Sequence, residues 1–152
     1  MKVLVGAIFL AVGVVASVLA LEAYELPDGA ELIVGQIKTT FQCPEKYGYW
    51  ADVDNDCKIF HICHPVDYPD GKHELFTYSF FCGNQTVFNQ LTFTCAWPDE
   101  AVACANAPEF YYLNDRLGVK DAQFLTDEDV DRAKQYIPLY NGQANTLKSK
   151  KK

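Results

Sequence analysis

Residues 41–104 read FQCPEKYGYWADVDNDCKIFHICHPVDYPDGKHELFTYSFFCGNQTVFNQLTFTCAWPDEAVAC, and all six cysteines of the 152-residue chain lie inside this stretch, at 43, 57, 63, 82, 95 and 104. All three histidines and most of the aromatic residues lie there too. A segment this short buries little apolar surface and usually needs cross-links to hold a fold. Three disulfides would each contribute on the order of 2–4 kcal/mol, mainly by restricting the unfolded chain. Between the cysteines the pattern is that of strands. Lys58 to Cys63 alternates with a period of two, Pro65 to Gly71 is turn-rich, and Glu74 to Cys82 is β-branched and aromatic. That pair predicts an antiparallel hairpin with a long loop. Thr86-Val87-Phe88 and Thr92 to Cys95, around Asn89-Gln90, predict a second, shorter hairpin.

Outward from this core the composition changes on both sides. Residues 1–20 carry one charge, Lys2, then a run from Val3 that is apolar except for Ser17 and ends in Val18-Leu19-Ala20. That pattern predicts a signal peptide cut after Ala20, or else after Ala23, in preference to a membrane anchor. Residues 21–40 form an N-terminal arm, with a turn at Pro27-Asp28-Gly29 and a short strand, or a segment laid along the domain, at Glu31 to Gly35. Residues 105–152 form a C-terminal extension. Asn106-Ala107-Pro108 breaks the chain after the last cysteine, and Thr126 to Asp129 has the form of a capping box. It opens a helix over about 126–137, stopped by Pro138 and followed by a basic tail with lysines at 148, 150, 151 and 152.

An even set of cysteines behind a signal segment predicts a secreted, oxidised protein. The formal net charge is −7, and −8 once Lys2 is removed with the leader. That excludes nucleic acid as a partner, because phosphate contacts need clustered Lys and Arg. The run Asp52-Val53-Asp54-Asn55-Asp56 suggests a calcium loop, but the positions that require Gly and Glu are Cys57 and Cys63. A zinc site at His61, His64 and His73 would need thiolates that oxidation removes. A glycosidase needs two carboxylates across a cleft, and neither Asp99-Glu100 nor the Asp52 run has that setting. The sequence therefore predicts a non-enzyme without metal or cofactor.

Six cysteines allow 15 pairings, and spacing alone does not choose among them. Their gaps of 13, 5, 18, 12 and 8 residues come with flanking motifs. These are Phe41-Gln42-Cys43-Pro44, Gly48-Tyr49-Trp50-Ala51-Asp52, Cys57 to Cys63, Phe88-Asn89, Cys95-Ala96-Trp97-Pro98 and Val102-Ala103-Cys104. Together they resemble the peritrophin-A, or chitin-binding type-2, domain family. The resemblance covers residues 41–104 and neither arm. It implies the pairs Cys43–Cys63, Cys57–Cys104 and Cys82–Cys95. It also implies a small disulfide-rich β fold: a three-stranded antiparallel sheet plus a hevein-like two-stranded hairpin, here with a C-terminal extension containing a short helix.

The ligand that the resemblance implies is chitin, bound by a secreted, monomeric, non-catalytic module. Flat aromatic rings would stack on the sugar faces and an Asn would satisfy an acetamide or hydroxyl. In a related antimicrobial member the inferred site is the last hairpin, here Cys82 to Cys95. The ligand-binding candidates are Asn89, Phe93, Trp50, Tyr49, Phe88 and Trp97, and Tyr78 is a candidate for an open sheet face. This chain departs from the family pattern in having Leu91 where an aromatic is expected, Gln85 in place of Gly, and Ala96 in place of Asp. Phe93, two residues beyond Leu91, would replace the missing ring if both stood on one strand face. Asn84-Gln85-Thr86 is a glycosylation sequon in the same hairpin. The alternative function is a venom or haemolymph protein that uses the scaffold for protein–protein contact.

Overall fold

A computed structural model describes residues 24–83 and 85–142. The leader 1–20, the basic tail and the sequon residue Asn84 lie outside the described residues. Strands β1 (Gly48–Ala51), β2 (Ile59–Asp67) and β3 (His73–Phe81) form an antiparallel sheet in the order β1-β2-β3. Strands β4 (Val87–Asn89) and β5 (Thr94–Ala96) form a separate two-stranded hairpin. β2 and β3 pair over their whole length, from Ile59 opposite Phe81 to Asp67 opposite His73. β1 reaches only from Ala51 opposite Phe60 to Gly48 opposite Cys63. Beyond Cys63, β2 has no neighbour on the β1 side, so it can carry Pro65, which has no N–H to donate to a ladder. The predicted long loop is therefore shorter than the sequence suggests. The chain turns at 68–72, where Tyr68 N–H donates to the Lys72 carbonyl at 2.8 Å and Gly71 takes φ 84°.

Alternation gives the sheet two unlike faces. Gly48, Trp50, Ile59, His61, Cys63 and Ser79 are buried on one. Tyr49, Phe60, Ile62, Phe76, Tyr78 and Phe80 occupy the other and stay half-buried or exposed. Disulfides join Cys43 to Cys63, Cys57 to Cys104 and Cys82 to Cys95. They fasten the approach to β1 onto β2, the turn after β1 onto the end of residues 41–104, and the exit from β3 onto β5.

The strand expected at Glu31–Gly35 is a one-turn helix, α1 (Ala30–Val34), bounded by left-handed Gly29 at φ 82° and Gly35 at φ 88°. Helical spacing puts Ala30 and Val34 together on the buried side and leaves Leu32 88% exposed. A strand would have put all three on one face. The arm then docks on the sheet: the Phe41 ring stacks on His61 at 4.2 Å, and Phe41 N–H donates to the Tyr24 hydroxyl at 2.9 Å.

The break expected at Asn106-Ala107-Pro108 is absent. Cys104–Arg116 forms a 3₁₀ segment that runs through Pro108. Ala107, Phe110 and Leu113 recur every third residue, which is the 3₁₀ period, and all three are buried. Helix α2 (Asp127–Lys134) opens on a complete capping box between Thr126 and Asp129. It ends at Lys134, short of Ile137, and residues 138–142 wind again with Pro138 first, where its missing N–H costs nothing. The extension is part of the domain's interior: Phe110, Leu113, Ala133 and Ile137 form one core cluster with Leu91 and Val102. Main-chain bonds from Ala103 N to Tyr136 O (2.8 Å) and from Leu139 N to Asp99 O (2.9 Å) seam it to the hairpin side.

Candidate functional site

The hairpin holds three of the six ligand-binding candidates, Phe88, Asn89 and Phe93, and the structure turns them inward. Asn89, expected to face a sugar, is 4% exposed. Its side-chain oxygen accepts the N–H groups of Leu91 at 3.1 Å and Val102 at 3.3 Å, and its carbonyl accepts those of Thr92 and Phe93. Asn89 thus closes the β4–β5 turn and ties it to Val102. Phe88 is 1% exposed and stacks on Phe60 at 4.3 Å. Phe93 is not on a strand face at all. It sits in the turn with φ 55°, so the alternation that would let it replace Leu91 does not apply. Its ring is half-buried between Tyr49 at 5.5 Å and Phe124 of the extension at 4.9 Å. Trp50 is buried edge-on against Tyr111 at 5.0 Å, and its indole N–H has no acceptor among the described residues. Trp97, just past β5, remains 47% exposed. Tyr49 and Trp50, neighbours in sequence, face opposite ways across the sheet, with Tyr49 half-buried.

Leu91 now has a physical explanation. It is 5% exposed because Phe110, Leu113, Ala133 and Ile137 cover it. An aliphatic side chain suits a position that has become core.

The same cover closes the free edge of β1 with side chains. Asn114, in the extension, accepts Tyr49 N–H at 2.8 Å and donates to the Tyr49 carbonyl at 3.1 Å. Gln90, fully buried in the hairpin turn, accepts Ala51 N–H and donates to the Tyr49 carbonyl, both at 2.8 Å. The Tyr111 hydroxyl donates to the Ala51 carbonyl at 2.9 Å. Burial pushes the Tyr111 phenol up to about 12, with the nearby Asp52 charge adding to it, so it remains a donor across the physiological range. Amide side chains, which carry both a donor and an acceptor, here stand in for a fourth strand.

On the buried face, Ser79, His61 and Asp52 form a hydrogen-bonded chain with the composition of a hydrolytic triad. Ser79 Oγ lies 2.9 Å from His61 Nδ1, and His61 Nε2 lies 3.0 Å from Asp52 Oδ2. A carboxylate only accepts, so Nε2–H donates to Asp52 and Nδ1 accepts the serine hydroxyl. His61 is fully buried under Phe41 and Tyr24, and Ser79 is 8% exposed. Asp52 also accepts from the Asn55 backbone at 3.2 Å and side chain at 2.6 Å. Desolvation pushes its carboxyl up, but the hydrogen bonds from His61 and Asn55 outweigh that and leave it lowered. These groups satisfy one another inside the core.

The hairpin covers the opposite sheet face at Tyr49, Ala51 and Phe60, and the rest of that face is open among the described residues. Tyr78 is 47% exposed, Phe80 44% and Tyr47 44%, with His64 also exposed beside them. The Phe76 and Tyr78 rings lie 6.4 Å apart with planes 13° from parallel. Phe80 stacks on Phe60 at 5.4 Å, and Tyr47 meets His64 edge-on at 5.4 Å. On the other face, at the far end of the β2–β3 pair, His73 bridges Asp67 and Glu45 at 2.7 Å each, and these contacts raise its pKa. Of the aromatic face the sequence marks Tyr78 and the half-buried Tyr49. The signal that would have found the rest is the period-two spacing of Phe76, Tyr78 and Phe80.

Comparison with known proteins gives this surface a context. Residues 39–104 match the family model described as the chitin binding peritrophin-A domain. The chain is 36% identical over 69 residues to U-scoloptoxin(01)-Cw1a of Cormocephalus westwoodi, a match that covers 45% of this chain and 50% of that protein. It is 37% identical over 68 residues to U-scoloptoxin(01)-Er1a of Ethmostigmus rubripes, covering 44% and 50%. It thus spans about half the length of the curated relatives it matches. No solved structure matches it significantly. The cysteine framework, the three-stranded sheet and the closing hairpin thus agree with the match of residues 39–104 to the chitin binding peritrophin-A domain model.

Proposed function

We propose that the protein is a secreted, monomeric, non-catalytic module that binds chitin, and the family match over residues 39–104 is the observation that carries this. Chitin is neutral, so a ligand surface needs apolar rings and a few donors and acceptors rather than charge. The exposed aromatic residues on a disulfide-bound scaffold supply these. Nothing in such binding requires a nucleophile, a metal or a cofactor. Secretion is supported by the leader pattern of residues 1–20 and by three disulfides, which persist in oxidising compartments. The sequon at Asn84 is a glycan acceptor in that compartment.

A second reading is favoured by the names of the two centipede relatives. On it, the scaffold serves protein–protein contact in a venom. Retention on chitin beads separates the two. The oxidised full chain is expected to stay on chitin through high-salt washing and to pass through cellulose. Passage through both columns would leave the protein–protein reading in its place.

A further inference from the structure

We propose that the chitin-binding surface of this chain is the open face of the three-stranded sheet, centred on Tyr78 and Phe80, and not the β4–β5 hairpin. The inference rests on the chitin reading above and names the site at which that binding occurs. Two independent observations carry it. The first is that the hairpin is already occupied. Asn89 spends its side-chain oxygen on Leu91 and Val102 N–H groups, Leu91 lies in the core, and Phe93 is clasped between Tyr49 and Phe124. A sugar would have to displace the C-terminal extension to reach them.

The second is the chemistry of the face left open. Phe76, Tyr78 and Phe80 follow one another every second residue along β3, so they stand on one side of the sheet along about 14 Å of strand. Their cross-strand partners in β2 are His64, Ile62 and Phe60. Phe76, Tyr78 and Phe80 with Ile62 form an apolar strip that ends where Phe60 passes under Phe88 of the hairpin, and the Tyr78 hydroxyl and His64 ring supply polar tips beside it. From Phe76 to Phe80 and across to β2 no residue of this face carries a carboxylate, a lysine or an arginine, in a protein whose net charge is −7. A polycation would seek the acidic surface elsewhere, and a polyanion would be repelled by it. The occupant that fits is a neutral polymer with flat C–H faces and acetamide groups, a chain of β-linked N-acetylglucosamine units lying along β3.

The test compares the full-length oxidised wild type with Tyr78→Ala, Phe80→Ala, the double variant and Trp97→Ala on chitin beads and with soluble N-acetylglucosamine oligomers. Tyr78, Phe80 and Trp97 are each more than two-fifths exposed, so the variants should keep the wild-type far-ultraviolet circular dichroism and melting temperature. The expected result is at least a tenfold loss of affinity in the double variant, with the loss in Trp97→Ala at least fivefold smaller than that. If the folded double variant is retained like wild type, the sheet-face site is wrong while chitin binding stands. Loss of retention in Trp97→Ala alone returns the site to the hairpin end. If wild type itself is not retained, the chitin reading fails and takes this site with it.

Discussion

A Cβ added at Gly48 would stand 2.4 Å from Asn114 Oδ1 and 2.5 Å from its Cγ, and Asn114 is not free to step aside. Its carboxamide bonds to both backbone groups of Tyr49 and to the Tyr111 carbonyl. The glycine is therefore required by close approach and not by backbone conformation. Gly48→Ala is expected to destabilise the protein by about 1–3 kcal/mol, a fall in Tm of roughly 5–15 °C. In an Asn114→Ala background, itself destabilised, the same Gly48→Ala change should cost almost nothing further, because the clash and the anchor are one contact. Equal costs in both backgrounds would disprove the coupling. None of this was legible in the sequence. Gly48 and Asn114 are 66 positions apart, and an asparagine that plugs a strand edge carries no local pattern.

At the scale of elements, legibility followed the range of the forces involved. The β2–β3 pair was readable because period-two alternation is local, and the α2 start was readable because Thr126 and Asp129 are three residues apart. The 3₁₀ segment was missed because Pro108 reads as a breaker, while the every-third burial of Ala107, Phe110 and Leu113 is set by what they pack against. The hairpin was placed approximately, but its solvent side was misjudged because the extension that covers it lies outside the resemblance. Within that extension Asp129 is the hub. It binds Arg116, accepts the Tyr112 hydroxyl at 2.5 Å and caps α2 through Thr126. The Arg116 guanidinium holds its carboxyl far below the usual range against the opposing effect of burial. Its folded pKa is thus depressed, so the unfolded chain takes up the proton first. The stability it contributes is complete above the ordinary carboxylate value near ~4 and drains away as pH falls below it. Asp52, lowered by His61 and Asn55, acts in the same sense. Urea denaturation at pH 7 and pH 3 should show this loss. Asp129→Asn should cost about 1.5–3 kcal/mol at pH 7 and make the remaining acid loss smaller. An unchanged acid dependence in Asp129→Asn would exclude Asp129 as a source of it.

For the whole molecule, the boundary of the family match at residue 104 is not a boundary of the fold. A chain ending at Cys104 would keep all three disulfides yet uncover Leu91 and Val102 and strip Asn114 and Tyr111 from β1. Such a fragment is expected to melt at least 10 °C lower than the full chain, or without a cooperative transition, and to bind a hydrophobic dye that the full chain does not. Equal melting of the two would show that the extension is dispensable. The blocked edge of β1 also limits how copies of the protein can meet. Among the described residues, the three-stranded sheet keeps an unplugged outer side along β3 and a short stretch of β2 beyond Cys63, so a second copy is expected to pair there and not along β1. The amide plug thus does for the β1 edge what a charged or proline-bearing edge strand does elsewhere, and denies it to another copy of the chain.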